Sequence, residues 1–315
     1  MGILGVGKYG LRQAANIAKY GEKEVARSGV TDEILDSITP CRRLSARKCE
    51  LSDPKYFIEK FERETGEDFL PQNWSTLSTE DKVDYIVKDR YSKLVSHKIM
   101  GKIKAEPEEH LYLLNKDGDI VHYSKGNSGY CEDAVVNGGT SVHNHPGYLL
   151  TAYSPNELKH IERLFPDRLK GVTPFSESDI TCALTGNETA FVVDSQGHKF
   201  MFKPSQTSLN TSERLKSDTR FCLDLRFLGQ DAFPAEAKQI ANIEKCNELL
   251  GKLEAFQAKQ KKWGRLFYPN RTKNKLIKEY LDAKTTALSM EPFDKINQGL
   301  KELSQKYGHR YEQLS

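Results

Sequence analysis

Apolar positions along this chain change their spacing twice. Through residue 104 they recur at helical intervals. Asp53-Pro54 opens one helix that stops near Gly66. Ser78 caps a second, in which Val83, Ile86, Val87, Leu94, Val95 and Ile99 fall three to four residues apart before Gly101 ends it. The period then shortens to two. His110 to Asn115 reads as a strand, Lys116-Asp117-Gly118 as a tight turn, and Asp119 to Tyr123 as the returning strand. Asn137-Gly138-Gly139 leads into a short strand carrying Ser141, His143 and His145. A second hairpin runs from Thr189 to Asp194, turns at Ser195-Gln196-Gly197, and returns from His198 to Lys203. A helix from Ser176 to about Gly186 lies between them. Strands flanking a helix in this way predict a compact α+β domain over 105–205.

Within it, residues 147–175 read as an insertion. Ser154-Pro155-Asn156-Glu157 is a capping box with Pro at the first helical position, opening a helix to about Phe165. From Pro204 the chain is polar, then helical again. Ile240, Ile243, Cys246, Leu250, Leu253 and Phe256 recur every three to four residues, as on an amphipathic or coiled-coil helix. Two shorter helices are expected around Leu276–Leu288 and Phe293–Leu303. The expected organisation is thus a helical region 1–104, the α+β domain, and a helical region 206–315, without internal repeats.

Composition narrows the partners. The 315 residues carry 47 Lys and Arg against 44 Asp and Glu, and a net charge of +3 is too small to imply a polyanion partner for the whole chain. No apolar run approaches the ~20 residues of a membrane helix. Met1-Gly2-Ile3-Leu4-Gly5-Val6 lacks the pattern of a signal peptide, and Val6 stands where a myristoylation signal needs Ser or Thr. Six scattered cysteines without a CxxC pair read as reduced thiols. The expected location is cytoplasmic, or a host cell into which the chain is delivered as an effector. Charge is nonetheless concentrated locally. Residues 259–278 hold Lys259, Lys261, Lys262, Arg265, Arg271, Lys273, Lys275 and Lys278 and no acid, interleaved with Trp263, Phe267 and Tyr268. Such a segment suits an anionic partner: single-stranded nucleic acid, an acidic protein or an anionic membrane surface. The plainer reading is a solvated helix end.

The chemistry sits in His143-Asn144-His145-Pro146, followed by Ser176-Glu177-Ser178-Asp179. Histidines two apart on a strand face the same way. An Asp at the start of the next helix supplies a third ligand. Two imidazoles and one carboxylate leave a fourth zinc position open, which marks a catalytic site rather than a structural one. Competing motifs fall away. Gly5-Val6-Gly7-Lys8-Tyr9-Gly10 fits GxGxxG but has no room for the preceding strand. His143-Asn144-His145 spells the letters of an HNH nuclease, whose motif is dispersed rather than contiguous. The H-x-E and P-C-x-x-C of zinc deaminases are absent.

The pattern H-x-H-P, spacer, S-x-x-D resembles the JAMM (MPN) metalloprotease family, in particular its bacterial and phage branch with RadC-like members. The resemblance runs from about Glu108 to Pro204. It implies a sheet sandwiched by helices, similar to the cytidine deaminase core. It implies Zn2+ held by His143, His145 and Asp179, and Ser176 hydrogen-bonding the oxyanion. A Glu on the first strand would take a proton from the attacking water and pass it to the leaving amine. Glu109 is favoured for that role because it shares a face with Leu111 and Leu113; Glu108 points the other way, and Glu132 is a third candidate. The spacer before Ser176 is longer than the family's. Ser154 and Glu157 sit at the short spacing but offer Glu, so Ser176 and Asp179 are preferred and 147–175 becomes a substrate-selecting lid. The implied activity is a metallopeptidase or isopeptidase acting on a protein substrate, conjugates of the ubiquitin-like kind included. Two other readings stand beside it: a RadC-like nucleic-acid-associated protein, and a non-catalytic MPN-type scaffold in an assembly such as a phage particle.

Overall fold

The computed structural model describes residues 53–126, 131, 134–146, 154–165, 173–206, 211–232, 236–288 and 291–314. The Gly5–Gly10 motif and Glu132 lie outside them. The elements in chain order are α1 (Pro54–Thr65), α2 (Thr79–Ile103), β1 (His110–Leu114), β2 (Ile120–Lys125), β3 (Thr140–His145), α3 (Pro155–Leu164), α4 (Glu177–Gly186), β4 (Thr189–Asp194), β5 (Lys199–Lys203), α5 (Thr211–Ala232), α6 (Glu236–Trp263), α7 (Asn270–Ala287), α8 (Glu291–Lys306) and β6 (Arg310–Leu314). The fold is mixed α/β around one six-stranded sheet of order β2-β1-β3-β4-β5-β6. β3 and β4 pair in parallel and every other neighbour is antiparallel. None of these helices is long and apolar enough to cross a membrane.

The chain divides into two compact units. The first comprises the described residues up to Pro146, Phe175–Cys222 and Ser304–Ser315. Its sheet alternates as period two demands. Tyr112, Leu114, Val142, Phe191, Val193 and Met201 face Val95, Ile99, Met100 and Ile103 of α2 in one core. Leu111, Leu113, Ser141, His143, Phe200 and Phe202 take the opposite parity. On that side Phe175 contacts the rings of His143 and Phe202, and Phe202 contacts Phe221 of α5. Ile180, Ala183 and Leu184 bury one face of α4.

Three features of this unit depart from the sequence expectation. α2 continues through Gly101 to Ile103. A mid-helix Gly costs about 1 kcal/mol, which the complete burial of Ile99, Met100 and Ile103 outweighs. The boundaries expected at 105 and 205 fall inside the unit, because the apolar stripe of α2 is a wall of the sheet's own core. Finally, Arg310–Leu314 falls within the expected helical region 206–315 but forms strand β6, which pairs with β5 and stacks Tyr311 on Phe200 at 6.1 Å.

The second unit comprises Gly147–Pro174 and Leu223–Leu303. Ile161, Tyr280 and Leu281 are buried at its centre, with Leu158, Leu249, Leu250, Ile277 and Phe293 packed around them. The expected amphipathic helix is α6, which a turn at 264–269 folds back into α7. The predicted insertion helix α3 belongs to this unit. α5, for which the polar stretch after Pro204 gave no warning, begins in the first unit and ends in the second.

Candidate metal centre

β3 carries the histidines, and its alternation explains their placement. Val142 sits in the α2 core, while the Thr140 hydroxyl bonds that of Ser92 on α2 at 3.0 Å. With those side chains committed to one face, Ser141, His143 and His145 turn to the other. Leu111 of β1 pairs with His143. Continuing that register sets Glu109 opposite His145, on the same face.

Asp179 arrives from α4. Ser176 caps that helix: its Oγ accepts the Asp179 N–H at 3.2 Å, and the Ser176 N–H donates to Asp179 Oδ2 at 2.6 Å. The box orients the carboxylate toward the histidines. His143 Nε2 lies 3.3 Å from Asp179 Oδ1, His145 Nε2 lies 3.4 Å from Oδ2, and the two ring nitrogens are 3.2 Å apart. Ligands at about 2.0–2.1 Å from a tetrahedral zinc are separated by about 3.3 Å. The spacing between the two ring nitrogens matches one edge of such a tetrahedron, and each Asp179 oxygen lies at that distance from one imidazole. Glu109, His143 and His145 also form a group whose donor atoms lie within 4.8 Å of one another. The donor set, imidazole nitrogen and carboxylate oxygen, is the one zinc takes.

The electrostatics agree. Burial by itself would raise the Asp179 carboxyl, but the charge and hydrogen bonds of His143 and His145 overcome it and hold the group well below the ordinary carboxylate range. The ionised carboxylate and the two imidazole nitrogens gather three donor side chains in one place. The His143 side chain is 5% exposed, whereas His145 and Asp179 keep 14% and 16%, so solvent reaches the cluster. Beside it lies a small pocket of about 30 Å3, lined by Glu109, Cys131, Ser141, His143, Asp179 and Glu188 among others, which is room for water.

The other sequence candidates separate cleanly. Glu108 pairs with Lys125 on the β2 side and stays out of the group. Glu157 accepts from the Ser154 N–H at 2.8 Å, from the Tyr280 hydroxyl at 2.9 Å and from Lys284 Nζ at 2.9 Å, all within the second unit. Ser176 is exposed and serves as a helix cap. Its hydroxyl accepts, and among the described residues no acceptor takes its own proton.

Two residues escaped the sequence reading. Asn144, between the histidines, is fully buried on the opposite face. Its Oδ1 accepts the His110 N–H at 2.7 Å, and its Nδ2 donates to the Glu108 carbonyl at 3.0 Å. It pins the backbone on both sides of Glu109. A polar residue at an apolar position of the strand was the only signal. Glu188, at the head of β4, is 1% exposed, and its Oε2 accepts the Val136 N–H at 3.0 Å. Burial pushes its carboxyl up to about 7, against the opposing bonds from Val136 and Ser141. Nothing in the local sequence marks it, since only the fold brings it to the pocket.

Comparisons with protein-family models, with curated proteins and with solved structures find no match for this chain.

Proposed function

We propose that this protein is a zinc-dependent, JAMM-like metallopeptidase or isopeptidase that hydrolyses an amide bond in a protein substrate, the conjugates of ubiquitin-like proteins included. The observation that carries the reading is the convergence of His143 and His145 of β3, Asp179 of α4 and Glu109 just before β1. His143, His145 and Asp179 would hold the ion. Bound there, zinc supplies Lewis acidity, lowering the pKa of water from 15.7 to about 7 and polarising a carbonyl. Glu109 accepts a proton from the attacking water and returns it to the leaving amine. The free proton of Ser176 suits it to donate to the developing oxyanion. Asn144 is a positioning residue that acts through the Glu109 backbone.

The test is cleavage of a panel of ubiquitin-like conjugates with and without a chelator, alongside metal analysis. Chelation and His143→Ala should each abolish cleavage. Glu109→Gln should keep the metal and lower turnover by roughly 10²–10⁴-fold. Bound zinc with turnover unaffected by Glu109→Gln would refute the assignment. Bound zinc with no cleavage of any conjugate would favour the scaffold reading.

A further inference from the structure

The segment 259–278 folds as the tip of the helical hairpin of α6 and α7, and its turn is braced. Gly264 ends α6 in the left-handed region at φ +81°, donating to the Gln260 carbonyl at 2.9 Å. The Gln260 amide donates to the Tyr268 carbonyl at 2.6 Å and to Asn270 Oδ1 at 3.2 Å, across the turn. Tyr268 packs edge-on against Phe256 of α6. Tyr268 is therefore the aromatic that anchors the turn inward.

The other apolar residues point outward. Leu266 is 89% exposed, Phe267 72% and Trp263 58%. A braced turn that leaves three large apolar side chains in water is not hiding them from it. Around them stand the eight Lys and Arg, seven of them exposed, without an intervening acid. Lys275 pairs with Glu279 at 3.7 Å, and Lys262 lies over the Trp263 ring at 5.2 Å. Among the described residues no other ion pair engages these cations.

Charge complementarity calls for an anionic partner, and the apolar residues decide which. A single-stranded nucleic acid would stack on Trp263 and Phe267 but has no use for an aliphatic side chain at the apex. A bilayer interface takes Leu, Phe and Trp alike and sets basic side chains at the level of the phosphates. We propose that this tip docks the protein on an anionic lipid surface, with Trp263, Leu266 and Phe267 entering the headgroup layer and the surrounding cations binding phosphates. Each cation near such a surface strengthens adsorption roughly fivefold, and salt weakens it. The proposal is independent of the peptidase reading.

The test is cosedimentation of the full chain with vesicles of equimolar phosphatidylcholine and phosphatidylserine, against phosphatidylcholine alone. Partitioning should be at least tenfold stronger on the anionic vesicles and fall as salt rises. Leu266→Glu with Phe267→Glu should lower it at least tenfold while thermal unfolding stays unchanged, because neither side chain is packed. His143→Ala should bind vesicles like the parent. Absence of binding, or equal binding by the Leu266→Glu/Phe267→Glu variant, would overturn the proposal. So would tighter binding to single-stranded DNA that survives those two substitutions.

Discussion

Two helices of this molecule begin with nearly the same device and put it to different ends. Ser154 to Glu157 and Ser176 to Asp179 are both reciprocal capping boxes, with the serine Oγ accepting the acid's N–H and the acid accepting the serine's N–H. Each acid then has a second engagement. Glu157 takes the Tyr280 hydroxyl and Lys284, and closes a helix–helix contact. Asp179 meets His143 and His145 at 3.3 and 3.4 Å. Local geometry is shared; what differs is the neighbour that the fold delivers. A cap carboxylate thus ends up against an ammonium or against imidazoles according to the element the fold sets opposite it.

The sharpest way to break this comparison is metal affinity. Asp179→Asn keeps a cap-competent side chain but loses the charged ligand, so zinc affinity measured by calorimetry should fall by more than about 100-fold. Glu157→Gln should leave it unchanged. Equal effects would mean that the two boxes do not divide the roles. Stability should show the reverse asymmetry. Glu157→Ala removes the carboxylate that Lys284, 18% exposed at its side chain, and the Tyr280 hydroxyl both bond, and denaturant unfolding should show a loss of about 2 kcal/mol.

A pH titration separates the boxes further. Burial would raise the Glu157 carboxyl, but its bonds from Ser154, Lys284 and Tyr280 together lower it below its usual 4.5. A depressed folded pKa means that this contribution to stability is fully present above about 4.5 and is lost as pH falls through the lower folded value. Glu157→Gln should remove that acid-side step from a plot of unfolding free energy against pH. The smallest effects test what the boxes have in common. Ser154→Ala and Ser176→Ala should each cost about 1 kcal/mol. A much larger loss of stability at Ser176 would show that its hydroxyl does more in the fold than cap.

Much of the site could be read along the chain because its parts are local. Period two puts His143 and His145 on one face whatever the sheet around them, and the N3 position of a capping box aims Asp179 back toward its own helix start. Alternation also favours Glu109 over Glu108, and in the structure Glu109 groups with His143 and His145 while Glu108 pairs with Lys125. Asn144 and Glu188 were not legible. The first replaces a core residue by three polar bonds to a segment more than thirty positions away, and the second reaches the pocket only through the parallel pairing of β3 with β4. β6 failed for a related reason. An edge strand of Arg, Tyr, Glu and Gln has no strand periodicity of hydrophobicity to detect, and its register is imposed by β5.

The sequence by itself determined which segments are helix or strand where apolar spacing is regular, which faces those segments bury, and that two imidazoles point together. These follow from backbone periodicity and capping, which act over a few residues. The tertiary structure decided which acid meets the imidazoles, which helix walls the sheet, and that the last strand closes its edge. Those outcomes depend on contacts between residues far apart in the chain, where the energy of burial, and not the local pattern, selects the partner.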